Sequence, residues 1–248
     1  MRPSTAEIAR TLAAGHLPAT LQVACGPGPL PLAYANDCSG QPLLLVPAGG
    51  PLAGALPFGD GDIAAVLAIT DEPPVAGAPT LGQAWISGWV SQLHGAGARE
   101  AACEFAEANP LGDLLDVGRG HDLYRLDVAE VRLRRGRRLR EVDVMEYLAA
   151  DPDPLARYEA ELLLDLDDHH GPQVGAFVRR MAAAAGLPPL SRDPDAPLRV
   201  VRLDRYGLVV RAEAGLVRLD FTRAVRDRHE LADLLRPVLF GGQRQRTD

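Results

Sequence analysis

Two rhythms of apolar and polar positions divide the chain. Residues 4–15 open with a helical stripe, Ile8 and Leu12. Ser4 or Thr5 can cap it, and Glu7 stands three residues after Ser4, the capping-box spacing. From there to about residue 97 the pattern is short runs of Val, Leu and Ala broken by Gly and Pro. ATLQVAC, PLPLAYA, QPLLLVP, DIAAVLAIT and QAWISGWVSQL each predict a strand, with a loop and one short helix at PAGGPLAGAL. Residues 98–109 predict a helix with Ala101, Ala102, Phe105 and Ala108 on one face, ended by Pro110. HDLYRLDVAEVRL and RRLREVDV return to strand. Many short strands separated by turn signals predict an antiparallel barrel or sandwich.

The rhythm changes at YLAADPDPLARY, which reads as a boundary. Residues 154–168 predict an amphipathic helix, and residues 172–185 a second one with Pro172 in its first turn. A proline-rich loop follows over 186–197. LRVVRLDRYGLVVRAEAGLVRLDFT predicts a β-meander with turns near Arg205–Gly207 and Ala214–Gly215. RDRHELADLLRPVL predicts a closing helix. The expected organisation is α+β: a barrel domain over 1–149, a small α/β domain over 150–242 and a tail over 243–248.

Composition narrows the chemistry. The chain has 248 residues, 47% hydrophobic but only 5% aromatic, so its core must be Leu, Val and Ala. The net charge of −7 argues against a general nucleic-acid binder. Every basic residue except histidine is arginine, which removes Schiff-base and P-loop lysine chemistry. Cys25, Cys38 and Cys103 form no CxxC pair and are expected as buried free thiols. MRPSTAEIARTLAAG lacks the apolar core of a signal peptide, and no stretch approaches the ~18 apolar residues of a membrane span. A cytoplasmic, non-membrane protein is expected.

The second half carries a family resemblance. DLDDHH, then LDRYGLVVRA and VRLDF, then a helix near RHEL, is similar to the C-terminal domain of HugZ-type haem oxygenases and glutamyl-tRNA-reductase-binding proteins. Asp204, Gly207 and Phe221 match that family's Asp-x-x-Gly hairpin and its apolar strand ending in Phe. His170 matches the motif histidine by its spacing to Val174. Asp167 stands at the motif's Asn position and His169 at its acidic one. The first half, through QPLLLVP, GGPLAGAL, IAAVLAI and WISGWV with Gly88, resembles the split barrel of pyridoxamine-phosphate-oxidase relatives. Together the two resemblances imply a homodimer with ligand sites near the barrel interface, and haem as a cofactor held by His170.

Flavin (FMN) is the less favoured cofactor. Its phosphate needs cations or clustered N–H donors, yet no arginine lies between Arg10 and Arg99, a span holding Asp37, Asp60, Asp62, Asp71 and Glu72. The densest cationic feature is VRLRRGRRLREV, a hairpin around Gly136. A loop of Arg135, Gly136 and Arg137 would set Arg134 opposite Arg138, Arg132 opposite Arg140 and Leu133 against Leu139; a two-residue loop would scramble these faces. Such like-charge pairs call for a counter-anion: nearby Asp/Glu, haem propionates or an acidic protein partner.

His169 and His170 are candidate haem contacts, with capping of the preceding helix's last carbonyls as the plainer role. Asp165 and His169, four apart, are a possible chelate with too few ligands for a metal site. Trp85 and Trp89 share a strand face. They could stack on a planar cofactor, although core packing or a dimer interface is the simpler expectation. Asp60/Asp62 and Asp151/Asp153 read as turn formers. No nucleophile–base constellation is visible, so no catalytic residue is named. The reading is a haem-binding protein for carriage, storage or sensing. Its alternatives are an oxidoreductase (haem-degrading or flavin-dependent) and a cofactor-free docking regulator.

Overall fold

The computed structural model describes residues 1–26, 28–56, 61–193 and 196–240, the last four of them as backbone only. The chain forms two compact units. One comprises Ser4–Glu72 and Thr80–Pro152; the other takes Met1–Pro3, Pro73–Pro79 and the chain from Asp153 onward.

The first unit is a β-barrel. Its helices are α1 (Thr5–Leu12), α2 (Gly95–Ala108) and α3 (Val144–Ala149). Its strands are β1 (Ala19–Val23), β2 (Leu30–Asn36), β3 (Pro42–Pro47), β4 (Asp62–Thr70), β5 (Gln83–Gln92), β6 (His121–Arg135) and β7 (Arg138–Val142). The strand order is β3-β2-β1-β4-β5-β6, antiparallel throughout, and β3 also pairs with β6 to close a six-stranded barrel. β7 extends the sheet beyond the barrel along the far end of β6. Strand alternation fills the interior with Leu21, Val23, Leu67, Ile69, Ile86, Val90, Tyr124 and Leu126.

β3 is buried over five successive residues because its other face packs under α2, where Leu43 and Leu45 meet Ala101 and Phe105. An apolar run without alternation is what two covered faces produce. The Ser4–Glu7 capping box starts α1. Arg10 on that helix is buried; it donates to the carbonyls of Ala150 and Gly40, each at 3.1 Å, and lies over the Tyr147 ring. Gly88 sits at a β-bulge, where an added Cβ would lie 1.9 Å from the Asp127 carbonyl oxygen.

Several expectations change. Residues 48–56 form turns rather than a helix. The strand expected through Val144 ends at Val142, and α3 follows, capped by Asp143, which accepts from Glu146 N. That Asp-x-x-Glu spacing was a legible start signal. All three cysteines are exposed. Cys25 and Cys38 lie in turns, and Cys103 points away from the buried stripe Ala98, Ala101 and Phe105.

The second unit is a three-stranded antiparallel meander of β8 (Arg199–Asp204), β9 (Gly207–Ala212) and β10 (Gly215–Asp220), packed with α4 (Glu159–Ala184) and α5 (Arg228–Phe240). Leu163, Leu166, Val174 and Val178 of α4 share one core with Leu203, Leu208, Val210, Leu219 and Phe221. The two helices expected over 154–168 and 172–185 are one continuous helix, α4, with Pro172 inside it. Pro172 removes one helical hydrogen bond without ending the helix, because the apolar stripe continues on both sides. In the hairpin, Asp204 accepts from Tyr206 N at 2.8 Å and from two Arg218 nitrogens at 2.7 Å each. A Cβ on Gly207 would lie 2.2 Å from the Leu219 carbonyl oxygen. The Asp-x-x-Gly motif is therefore a turn clamp followed by a close backbone approach.

Candidate functional site

The outer face of the barrel over β1, β4, β5 and β6 carries ligand-like geometry. Residues alternating with the interior set must point outward, and on β5 these are Trp85, Ser87 and Trp89. Register puts Trp85 beside Ala68 and Arg132, Ser87 beside Val66 and Glu130, and Trp89 beside Ala64. Small side chains on β4 thus leave a depression between taller neighbours. A concavity of about 530 Å³ lies here, lined by Gln22, Ala64, Val66, Ser87, Trp89 and Glu130 among others. Its volume is in the range of small-molecule sites. The bulge next to Gly88 leaves Ala129 as the extra residue on β6, and Ala129 lines the same concavity. Cys25 stands at the rim with φ +57°.

The two tryptophans are not core residues. Trp89 is 50% exposed, because Ala84, Ile86 and Val90 already fill the interior side of β5. Arg134 lies 5.3 Å from the centroid of the Trp85 ring and donates to Gln83 Oε1 at 2.7 Å. Arg132 pairs with Glu130 at 2.6 Å. One edge of the platform is therefore lined by two guanidiniums that neighbouring groups hold in place.

The four arginines of the hairpin do not share that edge. The turn uses two residues, Gly136 and Arg137, with Gly136 at φ +57°. A glycine at the first central position of a two-residue turn is the type II′ arrangement, which suits twisted hairpins. The register becomes Arg132↔Glu141, Leu133↔Arg140, Arg134↔Leu139 and Arg135↔Arg138. The expected pairs Arg134/Arg138, Arg132/Arg140 and Leu133/Leu139 are thus corrected. Arg132 and Arg134 face the tryptophan side, while Arg138 and Arg140 face the other.

In the second unit, His169 and His170 sit mid-helix in α4, so neither caps a helix end. His169 is exposed, its Nδ1 at 3.2 Å from Asp165. His170 is half-buried and continues the apolar stripe of Leu166 and Val174 at four-residue spacing. The two rings are 6.4 Å apart and tilted by 57°. Among the described residues no group of three or more His, Cys, Asp or Glu is placed to hold a metal ion.

Sequence reasoning missed a buried ionic cluster. Glu159 accepts from Arg202 Nε and Nη2, each at 3.2 Å, and from Leu203 N at 2.8 Å. Arg202 also donates to the Pro79 carbonyl at 3.0 Å. Burial pushes the Glu159 carboxyl up to about 7 against the pull of Arg202. Asp153, expected as a turn former, is raised to about 6 by burial, against hydrogen bonds from the Leu155 and Arg205 backbone N–H groups. Asp60, paired with Asp62 in the sequence, lies outside the described residues; Asp62 opens β4.

Comparison with solved structures bears on the fold. Its fold matches that of a solved heme-binding protein from Mycobacterium smegmatis. The TM-score is 0.66 at 22% identity, over 99% of this chain and 100% of that one. A protein of unknown function from Agrobacterium tumefaciens aligns over 96% of this chain and 97% of its own, with TM-score 0.45 and 16% identity. HutZ, the heme storage protein from Vibrio cholerae, aligns over 50% of this chain and 89% of its own, with TM-score 0.39 and 11% identity. The last two similarities are too remote to bear on the argument. The split barrel followed by a small α/β unit, expected from the resemblance, is the observed fold. No protein-family model matches the sequence, and no curated protein does.

Proposed function

We propose that this protein binds haem, for carriage, storage or sensing. The observation that carries the reading is the outer barrel face: a concavity lined by the half-exposed Trp89 and, on the same face but outside that lining, Arg132 and Arg134 beside Trp85. A porphyrin has a broad apolar disc and two carboxylates at one edge. Small apolar side chains and an indole suit the disc, and guanidiniums suit the propionates. The donor set on this face therefore fits the group. Bound haem would supply an iron centre able to take a side-chain ligand. His170, half-buried in the α/β unit, is proposed as an iron ligand in its own right, separately from the barrel face, while His169 is exposed beside Asp165. Arg138 and Arg140, on the opposite face of the hairpin, are not part of this proposal. Fold likeness to a heme-binding protein accords with it.

The same face supports association of two copies. Its centre is apolar through Val66, Ala68 and Trp85, and its rim mixes Glu130 and Glu141 with Arg132 and Arg134, so it complements itself in charge. A homodimer formed there is part of the proposal.

Variants test the site. Trp89→Ala and Arg132→Ala/Arg134→Ala should each weaken hemin binding at least ~10-fold while leaving the far-UV circular dichroism spectrum that of the wild type, since these residues are outside the core. His170→Ala should move the Soret band. Unchanged affinity in the first two variants would remove the barrel face as the site. An unchanged Soret band in the third would remove His170 as the ligand.

A further inference from the structure

Residues 132–140 hold six arginines in nine positions, on a chain whose net charge is −7. Arg132 and Arg134 are engaged with Glu130, Gln83 and Trp85. Arg135, Arg137, Arg138 and Arg140 are exposed, and none of them makes an ion pair or side-chain hydrogen bond with a described residue. Arg135 and Arg138 stand directly opposite each other. Such a pair is repulsive, so the fold holds this charge at a cost.

The strand that carries the charge is also an open edge. β7 is last in the strand order and, among the described residues, forms its ladder with β6 alone. Arg138, Leu139, Arg140 and Glu141 are all exposed. An antiparallel edge presents unpaired N–H and C=O groups that accept another strand. Like charges on the edge discourage pairing with a second copy of β7. They do not discourage an anionic strand.

We propose that the free edge of β7 takes up an extended acidic peptide segment of a protein partner by strand addition, its carboxylates pairing with Arg138 and Arg140. The spacing fits: alternate residues of any strand lie about 6.8 Å apart, so carboxylates at i and i+2 match arginines at i and i+2. A nucleic acid could meet the charge but has no peptide backbone to satisfy the edge. The inference stands whether or not haem binds.

The test is fluorescence anisotropy with the full-length protein and a labelled hexapeptide alternating Glu and Val. The account expects binding at least ~10-fold tighter than for the Gln/Val peptide. It expects loss of binding in Arg138→Glu/Arg140→Glu, with far-UV circular dichroism and thermal unfolding unchanged. Arg138→Gln/Arg140→Gln should weaken binding without reversing the charge. N-methylation of alternate peptide nitrogens, which keeps the charge and removes backbone donors, should cost at least ~10-fold. Equal binding of the N-methylated peptide, binding indifferent to the arginine variants, no binding of the Glu/Val peptide, or tighter binding of an oligothymidylate of equal charge would each overturn the proposal.

Discussion

A carboxylate in an apolar interior survives only when donors surround it. Glu159 has three, two from Arg202 and one from Leu203 N. Glu159→Ala would leave the Arg202 guanidinium buried without its partner, and should cost about 3–5 kcal/mol by denaturant unfolding. The folded state also holds protons that the unfolded chain releases: Glu159 moves from 4.5 to about 7 and Asp153 from 3.8 to about 6, both first through burial. Raised acids contribute stability that is full below their unfolded values and lost as pH rises through the folded ones. Stability of the α/β unit should therefore fall between about pH 4 and 7, and Glu159→Gln should flatten part of that fall. A flat wild-type profile would contradict the assignment. Gly88→Ala forces a Cβ against the Asp127 carbonyl at the bulge and should cost ~1–3 kcal/mol. Gly88 was legible in WISGWV as a likeness. Its close approach to Asp127 was not, because the bulge depends on the partner strand. Glu159 was not legible at all, since a glutamate near a helix start reads as solvated until Arg202, 43 residues later, is brought against it.

Elements whose faces alternate against a core were readable, and elements set by turn geometry or long-range packing were not. The apolar runs of β1 to β6 and of the meander appear directly in the sequence, that of β3 without alternation, and the capping box announced α1. The arginine hairpin failed at a single residue of loop length: a two-residue turn at Gly136 shifts the register and moves Arg138 and Arg140 to the other face. α4 failed at Pro172, which suggested a new helix where tertiary packing of Leu166, Val174 and Val178 maintains one. Pro172→Ala restores the missing helical bond and should raise the stability of the second unit by ~1–3 kcal/mol, read as a higher unfolding midpoint. A lower midpoint would mean that the proline fits a bend the packing requires.

At the scale of the molecule, fold and function part company. A barrel followed by a small α/β unit is established by its strand order and by its match to the M. smegmatis structure. A fold hosts many functions, so the haem reading rests on the site, not on the barrel. The site was half legible: Trp85 and Trp89 were seen to share a face, but the small residues of β4 that make a depression beside them emerge only from register. Among the described residues no helix is long and apolar enough to cross a membrane.

The central claim is that this chain binds haem, and a hemin titration of the purified wild-type protein, followed by absorbance across the Soret and visible bands, tests it directly. The account predicts a saturating Soret shift at a fixed stoichiometry per chain. A titration indistinguishable from hemin in buffer would contradict it, and the outer barrel face would then stand as a protein contact alone.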